Sequence, residues 1–368
     1  MIRVLQCVNN MHRAGLETML MNYYRHIDRS EIQFDFLTHR PDKDDYDDEI
    51  LSLGGKVYYA PRLYPQNLPA YFKYMENFFG EHPEYKIMHS HIDAMSYLPL
   101  KAGKKAGVPI RIAHSHNTSI DRDLKYWLKM YYRSRITSVA TDYLACGQEA
   151  GEFLFGNKKF EVIPNAIEPE RFLFNMQVRK QKREELGLKD ELVIGHIGRI
   201  SYQKNHKFLV EIFKEIVKKH EKSILLIIGV GEKEDEIKNL VSKLGLSEKV
   251  RFLGKREDVN ELYQAMDAFV MPSFFEGVPV VGVEAQYAKL PCFFSNKVPE
   301  EVKFSENVHF IELRVSAEKW ARRILEYLPS FDDRSKTFVD ETKYDIGSTI
   351  MNLTDLYKDI NNRLERLK

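Results

Sequence analysis

The stretch MPSFFEGVPVVGVEAQ, Met271 to Gln286, changes character twice. It starts at the end of a short apolar run, AFVMPS, passes through a loop, and enters a segment opened by Pro279. Proline suits the first turn of a helix, where its missing N–H costs nothing. Strand, loop and helix in so few residues is the crossover unit of a parallel sheet. Two glutamates, Glu276 and Glu284, lie in it among small apolar residues. Carboxylates are rarely buried without a partner, so these two call for a chemical reason.

The same alternation runs outward in both directions. Before it, IRVLQCV, QFDFLT, KVYYA, YKIMHSH, IRIAHSHN, DYLACG and KFEVIPNAI read as strands, with helical segments such as LETMLMNYYRHI and LPAYFKYMENFFGEH between them. A charged stretch, QVRKQKREELGLKDE, follows, and the rhythm then restarts with LVIGHIGRI, SILLIIGV, VRFLG, AFVMPS and PCFFS. The pattern predicts an α/β chain of two Rossmann-like, doubly wound parallel-sheet domains with a hinge near Ile167. The expected domains are residues 1–167 and 168–345, and a C-terminal helix over 346–368 is expected to pack back toward the first. Ligands of open parallel sheets bind beyond the carboxyl ends of the strands. The expectation is therefore a cleft with two such edges facing each other.

Composition narrows the class. With 368 residues and a net charge of +1, the chain suits two domains and argues against bulk nucleic-acid binding. The best apolar run, SILLIIGV, falls far short of the roughly 20 residues of a membrane span. Met1 leads straight into a strand, so no signal peptide is expected. Cys7, Cys146 and Cys292 are odd in number and widely spaced, as free thiols in a reducing cytoplasm would be.

At a rise of ~1.5 Å per residue, Glu284 lies about 7–8 Å beyond the helix start. That spacing suits a ligand with an anionic middle and hydroxyl-bearing ends. The backbone at Gly277, Val278 and Pro279 leads into the helix, whose free amides favour a diphosphate. A sugar then falls near Glu276, and a ribose near Glu284, whose carboxylate accepts from two vicinal hydroxyls. The other reading is a capping glutamate and a helix-surface one. In IGHIGRISYQKN, Gly195 and Gly198 allow close backbone approach. Arg199 and Lys204 of the same segment can neutralise a diphosphate. Neither a Walker loop nor G-x-G-x-x-G occurs.

In the first half, Gly15 and Glu17 follow the first strand. Histidines gather at two strand ends, His89 and His91, then His114 and His116. They invite a metal, but no carboxylate or cysteine stands at ligand spacing. DLKYWLKMYYRSR sets Trp127, Tyr126, Tyr131 and Tyr132 among basic residues, which suits a membrane interface as well as a solvated helix. Asp121-Arg122-Asp123 has the D-x-D pattern of metal-dependent sugar transfer but lacks a preceding strand, and is read as chance.

Taken together these segments resemble the retaining glycosyltransferases of family 4, which have the GT-B fold. The resemblance rests on Glu276 and Glu284 as E-x7-E, on Arg199 and Lys204, on VIPNAI, and on AHSHNTS, ETMLMNYYR, QFDFLTHR and DDEILSLGG. It is nearest to the bacterial subgroup that builds exopolysaccharide and capsule. It implies that Arg199 and Lys204 hold the donor diphosphate, Glu284 the ribose, and that Glu276 lies beside the transferred sugar. Lys255 and Arg256 would sit near the base. One histidine after IRIAHSHN would contact the sugar; His116 is assigned, with His114 as the alternative. Family members carry two glycines where this chain has Ala14-Gly15, so the loop's approach to phosphate rests on Gly15. The implied activity is retaining, metal-independent transfer from a nucleotide-sugar, UDP-linked, to a lipid-linked oligosaccharide at the cytoplasmic face of a membrane. No cofactor is expected. The rivals are a nucleotide-sugar epimerase or phosphorylase of the same fold, and a non-catalytic scaffold of a polysaccharide assembly complex.

Overall fold

The computed structural model describes residues 1–120, 124–328 and 331–366. Seven strands of the first half are β1 (Ile2–Val8), β2 (Ile32–Thr38), β3 (Val57–Tyr59), β4 (Ile87–Ser90), β5 (Ile110–Ser115), β6 (Asp142–Ala145) and β7 (Glu161–Val162). They form one parallel sheet in the order β3-β2-β1-β4-β5-β6-β7. Six more, β8 (Leu192–Ile197), β9 (Ser223–Ile228), β10 (Val250–Gly254), β11 (Ala268–Met271), β12 (Cys292–Ser295) and β13 (Val308–Ile311), form a second parallel sheet. Its order is β10-β9-β8-β11-β12-β13. In each sheet the winding reverses beside the first strand, at β1/β4 and at β8/β11. Those reversals open the crevices where ligands of such sheets sit. The α/β, doubly wound class expected from the sequence is the observed one.

The chain divides into two compact units, Met1–Ala166 with Ile346–Lys368, and Ile167–Asp345. The C-terminal helix Ile346–Arg366 buries Ile346, Thr349, Leu353, Tyr357, Ile360 and Leu364, a stripe at the three-and-four spacing of one helix face. Burying each aliphatic side chain contributes about 1.5–3 kcal/mol, which fastens this distant segment to the first unit. The Tyr357 ring packs edge-on to Phe34 of β2, centroids 5.8 Å apart.

Three segments depart from the sequence reading. KFEVIPNAI is a strand only at Glu161–Val162. Ile163 still donates to Ala145 O at 2.9 Å, but Pro164 has no N–H with which to continue the ladder. VHFI, β13, is an unread edge strand, too short for its alternation to stand out. QVRKQKREELGLKDE is mostly a helix, Met176–Glu185, capped by the Asn175 side chain accepting from Gln177 N and Val178 N. Its charge is interior wiring: buried Arg179 and Arg183 both pair with Asp267, whose Oδ2 accepts from Val193 N at 2.7 Å.

Candidate active site

In the second unit, the loops leaving β8 and β11 are fastened to each other. Gln203 O accepts from Phe274 N at 2.8 Å. Gln203 Nε2 donates to Phe275 O at 3.0 Å and to Glu276 Oε2 at 3.2 Å. Asn205, in the left-handed region at φ 54°, donates to Pro272 O at 3.0 Å. The Tyr202 and Phe274 rings stack at 4.7 Å on the outside. The glycines here have two different tasks. A side chain at Gly229 or Gly231 would strike the backbone of Gly198 or Ile200, so those glycines let the β9 exit loop lie against the β8 exit loop. Gly195, read as an approach point for a ligand, instead faces Met266 inside the sheet layer, where a Cβ would fall 2.0 Å from Sδ.

The clasp brings two of the expected site residues into contact. Lys204 Nζ lies 2.8 Å from Glu276 Oε1, the side chains 14% and 6% exposed. Arg199 is open, 63% exposed, with Nη2 3.0 Å from Glu232 Oε2. Each cation thus already has a carboxylate partner, Glu232 for Arg199 and Glu276 for Lys204. Gly277, Val278 and Pro279 are buried. Pro279 stands one residue ahead of the helix Val280–Tyr287 rather than in its first turn. That leaves the first N–H groups of the helix without intrahelical acceptors.

Glu284 is buried beneath this turn, with Oε2 2.9 Å from the Tyr263 hydroxyl. The same hydroxyl is 2.9 Å from Val281 O. Loss of water raises the Glu284 carboxyl to about 7. A protonated Glu284 can donate to Tyr263 while Tyr263 donates to Val281 O, and an ionised one needs donors such as a pair of ribose hydroxyls. Arg256 is bound on both sides, to Asp258 at 2.6 Å and to Glu185 at 3.6 Å. The network that holds it includes Lys182. Lys255 beside it is exposed. Under the sheet edge lie His196 and His206, rings 4.6 Å apart, with three of their four ring nitrogens buried and unbonded. No sequence signal marked them as a pair.

In the first unit, Gly15 opens the helix Gly15–His26, and a Cβ there would meet nothing within 4 Å. The four strand-end histidines form one stack at the ends of β4 and β5, with His114 and His116 centroids 4.2 Å apart and His89 and His91 4.0 Å. His116 Nε2 is 3.0 Å from His91 Nδ1, and His89 Nε2 is 3.1 Å from His114 Nδ1. Nitrogens of His89, His91 and His114 lie within 4.8 Å of one another, close enough to share an ion. Burial holds all four histidines neutral, aided by neighbouring rings at His89, His91 and His114, with His116 down at about 3 from burial alone. Asp93, absent from the sequence reading, organises the loop above. Its carboxylate accepts from His116 N at 2.7 Å and Asn117 Nδ2 at 2.8 Å, from a backbone at φ 45°. The Asp121-Arg122-Asp123 pattern lies outside the described residues.

Comparison with known proteins agrees with this architecture. The family model described as Glycosyltransferase Family 4 matches residues 13–171, and Glycosyl transferases group 1 matches 178–337. EpsF of Bacillus subtilis (strain 168), which bears a glycosyltransferase name, is 38% identical over 82% of this chain and 80% of its own. The UDP-Gal:alpha-D-GlcNAc-diphosphoundecaprenol alpha-1,3-galactosyltransferase of Escherichia coli is 30% identical over 58% of each chain. The fold matches the crystal structure of Anabaena HepE in complex with UDP-glucose, with a TM-score of 0.76 at 18% identity, over 100% of this chain and 99% of that one. The chain belongs to the family 4, group 1 glycosyltransferases and has their GT-B pair of Rossmann-like domains.

Proposed function

We propose that this glycosyltransferase moves a sugar from a UDP-sugar to a lipid-linked oligosaccharide in exopolysaccharide or capsule synthesis, with retention of anomeric configuration. The observation that carries the reading is the Lys204–Glu276 pair held at the β8 and β11 exits, beside exposed Arg199 and a helix start. As the bond to the diphosphate breaks, negative charge grows on the leaving group. Arg199 and Lys204 stabilise that charge, the arginine by a fork of N–H groups and the lysine as a point charge. The departing diphosphate takes the acceptor's proton on the face it leaves, and Glu276, freed from Lys204, steadies the sugar. In this scheme the two cations do the work of a metal. Glu284 holds the ribose, and Lys255 stands on the base side.

The uridine diphosphate and the diphospho-lipid are supported by the specificity that the Escherichia coli relative is named for and by the UDP-glucose bound to HepE. No helix among the described residues is long and apolar enough to cross a membrane. The helix Tyr126–Arg135 instead leaves Trp127 80% and Tyr131 51% exposed beside Leu124 and Lys125. We assign this face to an anionic lipid surface, where a peripheral protein would meet a lipid-linked acceptor.

The test is product analysis with UDP-galactose and UDP-glucose, with and without a diphospho-lipid-linked N-acetylglucosamine. A new glycolipid in which the transferred sugar keeps its α-configuration is expected. Epimerised donor in the absence of acceptor would favour the epimerase, and an inverted product would overturn retention.

A further inference from the structure

The hydrogen bonds around the histidine stack fix where every proton must be. Gln6 of β1 is fully buried and sits between two branches, with Oε1 2.8 Å from His91 Nε2 and Nε2 3.2 Å from the Tyr357 hydroxyl. An amide oxygen only accepts and an amide nitrogen only donates. His91 must therefore carry its proton on Nε2 and offer a lone pair on Nδ1. His116 Nε2, 3.0 Å away, must then be the donor, which leaves a lone pair on His116 Nδ1.

On the other branch, the Tyr357 oxygen accepts from Gln6, so its one proton goes to His89 Nδ1 at 2.7 Å. His89 then donates from Nε2 to His114 Nδ1 at 3.1 Å, and His114 is left with N–H on Nε2. All four rings share one tautomer. Reversing the Gln6 amide would reverse both branches together, to four Nδ1–H rings. Neutral histidine prefers Nε2–H intrinsically, which agrees with the amide orientation observed.

Among the described residues, both branches end without a protein partner. His114 Nε2 is buried and unbonded, and His116 Nδ1 makes no hydrogen bond among the described residues. We infer that Gln6 and Tyr357 are positioning residues that lock His89, His91, His114 and His116 as Nε2–H tautomers, so that His116 accepts a hydrogen bond from a hydroxyl of the donor sugar while His114 offers one. The assignment to a sugar rests on the glycosyltransferase reading; the tautomers rest on the hydrogen-bond geometry together with the intrinsic preference for Nε2–H. A buried donor left unpaired, such as His114 Nε2, costs about 1–3 kcal/mol; with the half-buried His116 ending the other branch on an acceptor, the array fits a group bearing both, as a sugar hydroxyl does. Tyr357 reaches the stack from the C-terminal helix, 268 residues from His89 in sequence. Docking of that helix thereby sets the chemistry of rings at the other end of the chain.

The test is nitrogen-15 NMR of the ring nitrogens in histidine-labelled, ligand-free protein, with signals assigned by single substitutions. Wild type should show all four rings as Nε2–H. Tyr357→Phe should leave His91 and His116 locked and make His89 and His114 tautomer-averaged. Gln6→Met, similar in volume but unable to direct protons, should average all four. The same variants should bind UDP as wild type does. They should lose on the order of tenfold of the extra affinity that UDP-glucose or UDP-galactose has over UDP, the worth of about one directed hydrogen bond. A wild-type ring in the Nδ1–H form, unchanged tautomers in Gln6→Met, or equal losses for UDP and UDP-sugar would overturn the inference. So would a metal ion retained by the stack. Because the ring signals are read without donor, they fail independently of the sugar-transfer reading.

Discussion

Lys204 and Glu276 form an ion pair, Nζ to Oε1 2.8 Å, in a clasp that leaves both side chains largely buried. In the proposed function, Lys204 belongs to the loop that would meet the leaving diphosphate and Glu276 would lie beside the transferred sugar. On that proposal the carboxylate would hold the lysine until the diphosphate arrives, and the exchange would release it toward the sugar. Removing its charge should have opposite effects on binding and on turnover. Glu276→Gln should bind UDP several-fold more tightly, because Lys204 is no longer neutralised. It should turn over about 10²-fold more slowly, having lost one electrostatic contact in the transition state. Titration and steady-state rates on one preparation check both. Weaker UDP binding together with normal turnover would show that the pair is only structural.

The proposed role of Arg199 and Lys204 as the charges that meet the diphosphate leads us to expect metal-independent transfer. Transfer should survive EDTA, with no gain from added manganese or magnesium. Activity lost to the chelator and restored by either ion would mean that the Arg199 and Lys204 charges do not suffice for the diphosphate.

Acid should loosen the first unit before the second. Burial depresses His39, His89, His91, His114 and His116 in the first, and His196, His206 and His309 in the second. Their unfolded value is 6.5, so the unfolded chain takes up protons first as pH falls. Stability is therefore present above about 6.5 and is lost below it. The slope approaches about 1.4 kcal/mol per pH unit for each fully depressed histidine. One raised carboxyl in each unit works the other way, Asp93 at about 6 and Glu284 at about 7, since each keeps its proton longer when folded. Hydrogen exchange between pH 7 and 5.5, corrected for intrinsic rates, should show protection falling more steeply around β4 and β5 than around β8 and β11. Equal slopes would contradict the neutral stack.

Exposed Trp127 and Tyr131 should matter only at a lipid surface. Replacing both with Ser, or Lys125 and Lys129 with Glu, should weaken binding to vesicles containing anionic phospholipid. Activity on a soluble acceptor analogue should remain. Loss of folding in the aromatic variant, with no effect of the charge change, would place that helix in the core instead.

Much of this architecture was legible because apolar periodicity and strand-exit motifs are local signals. The parallel sheets could be read from alternating runs, and so could the positions of Arg199, Lys204 and Glu276 at strand exits, with Glu284 in the helix that follows. What escaped depends on distance or on brevity. The bond from Gln203 to Glu276 joins residues 73 apart, and nothing near either one announces it. Tyr357 reads as one aromatic on an amphipathic helix until that helix docks beside His89. VHFI is too short to show its period. The charges of Arg179 and Arg183 suggest solvent, yet Asp267 takes them inside. Gly195 illustrates the converse error, since a glycine after an apolar run can serve Met266 rather than a ligand.

The central claim is that the β8 exit grips the diphosphate of a nucleotide-sugar, and calorimetric titration of UDP and of uridine tests it most directly. Arg199→Ala and Lys204→Ala should each weaken UDP by on the order of tenfold or more while leaving uridine unchanged, as loss of one charge-assisted contact would. The two losses should not add, because both cations share one ligand. Arg199→Lys should recover only part, since an ammonium lacks the two-pronged contact. UDP affinity unchanged in both alanine variants would contradict the account and leave no ground for placing a nucleotide-sugar at this site.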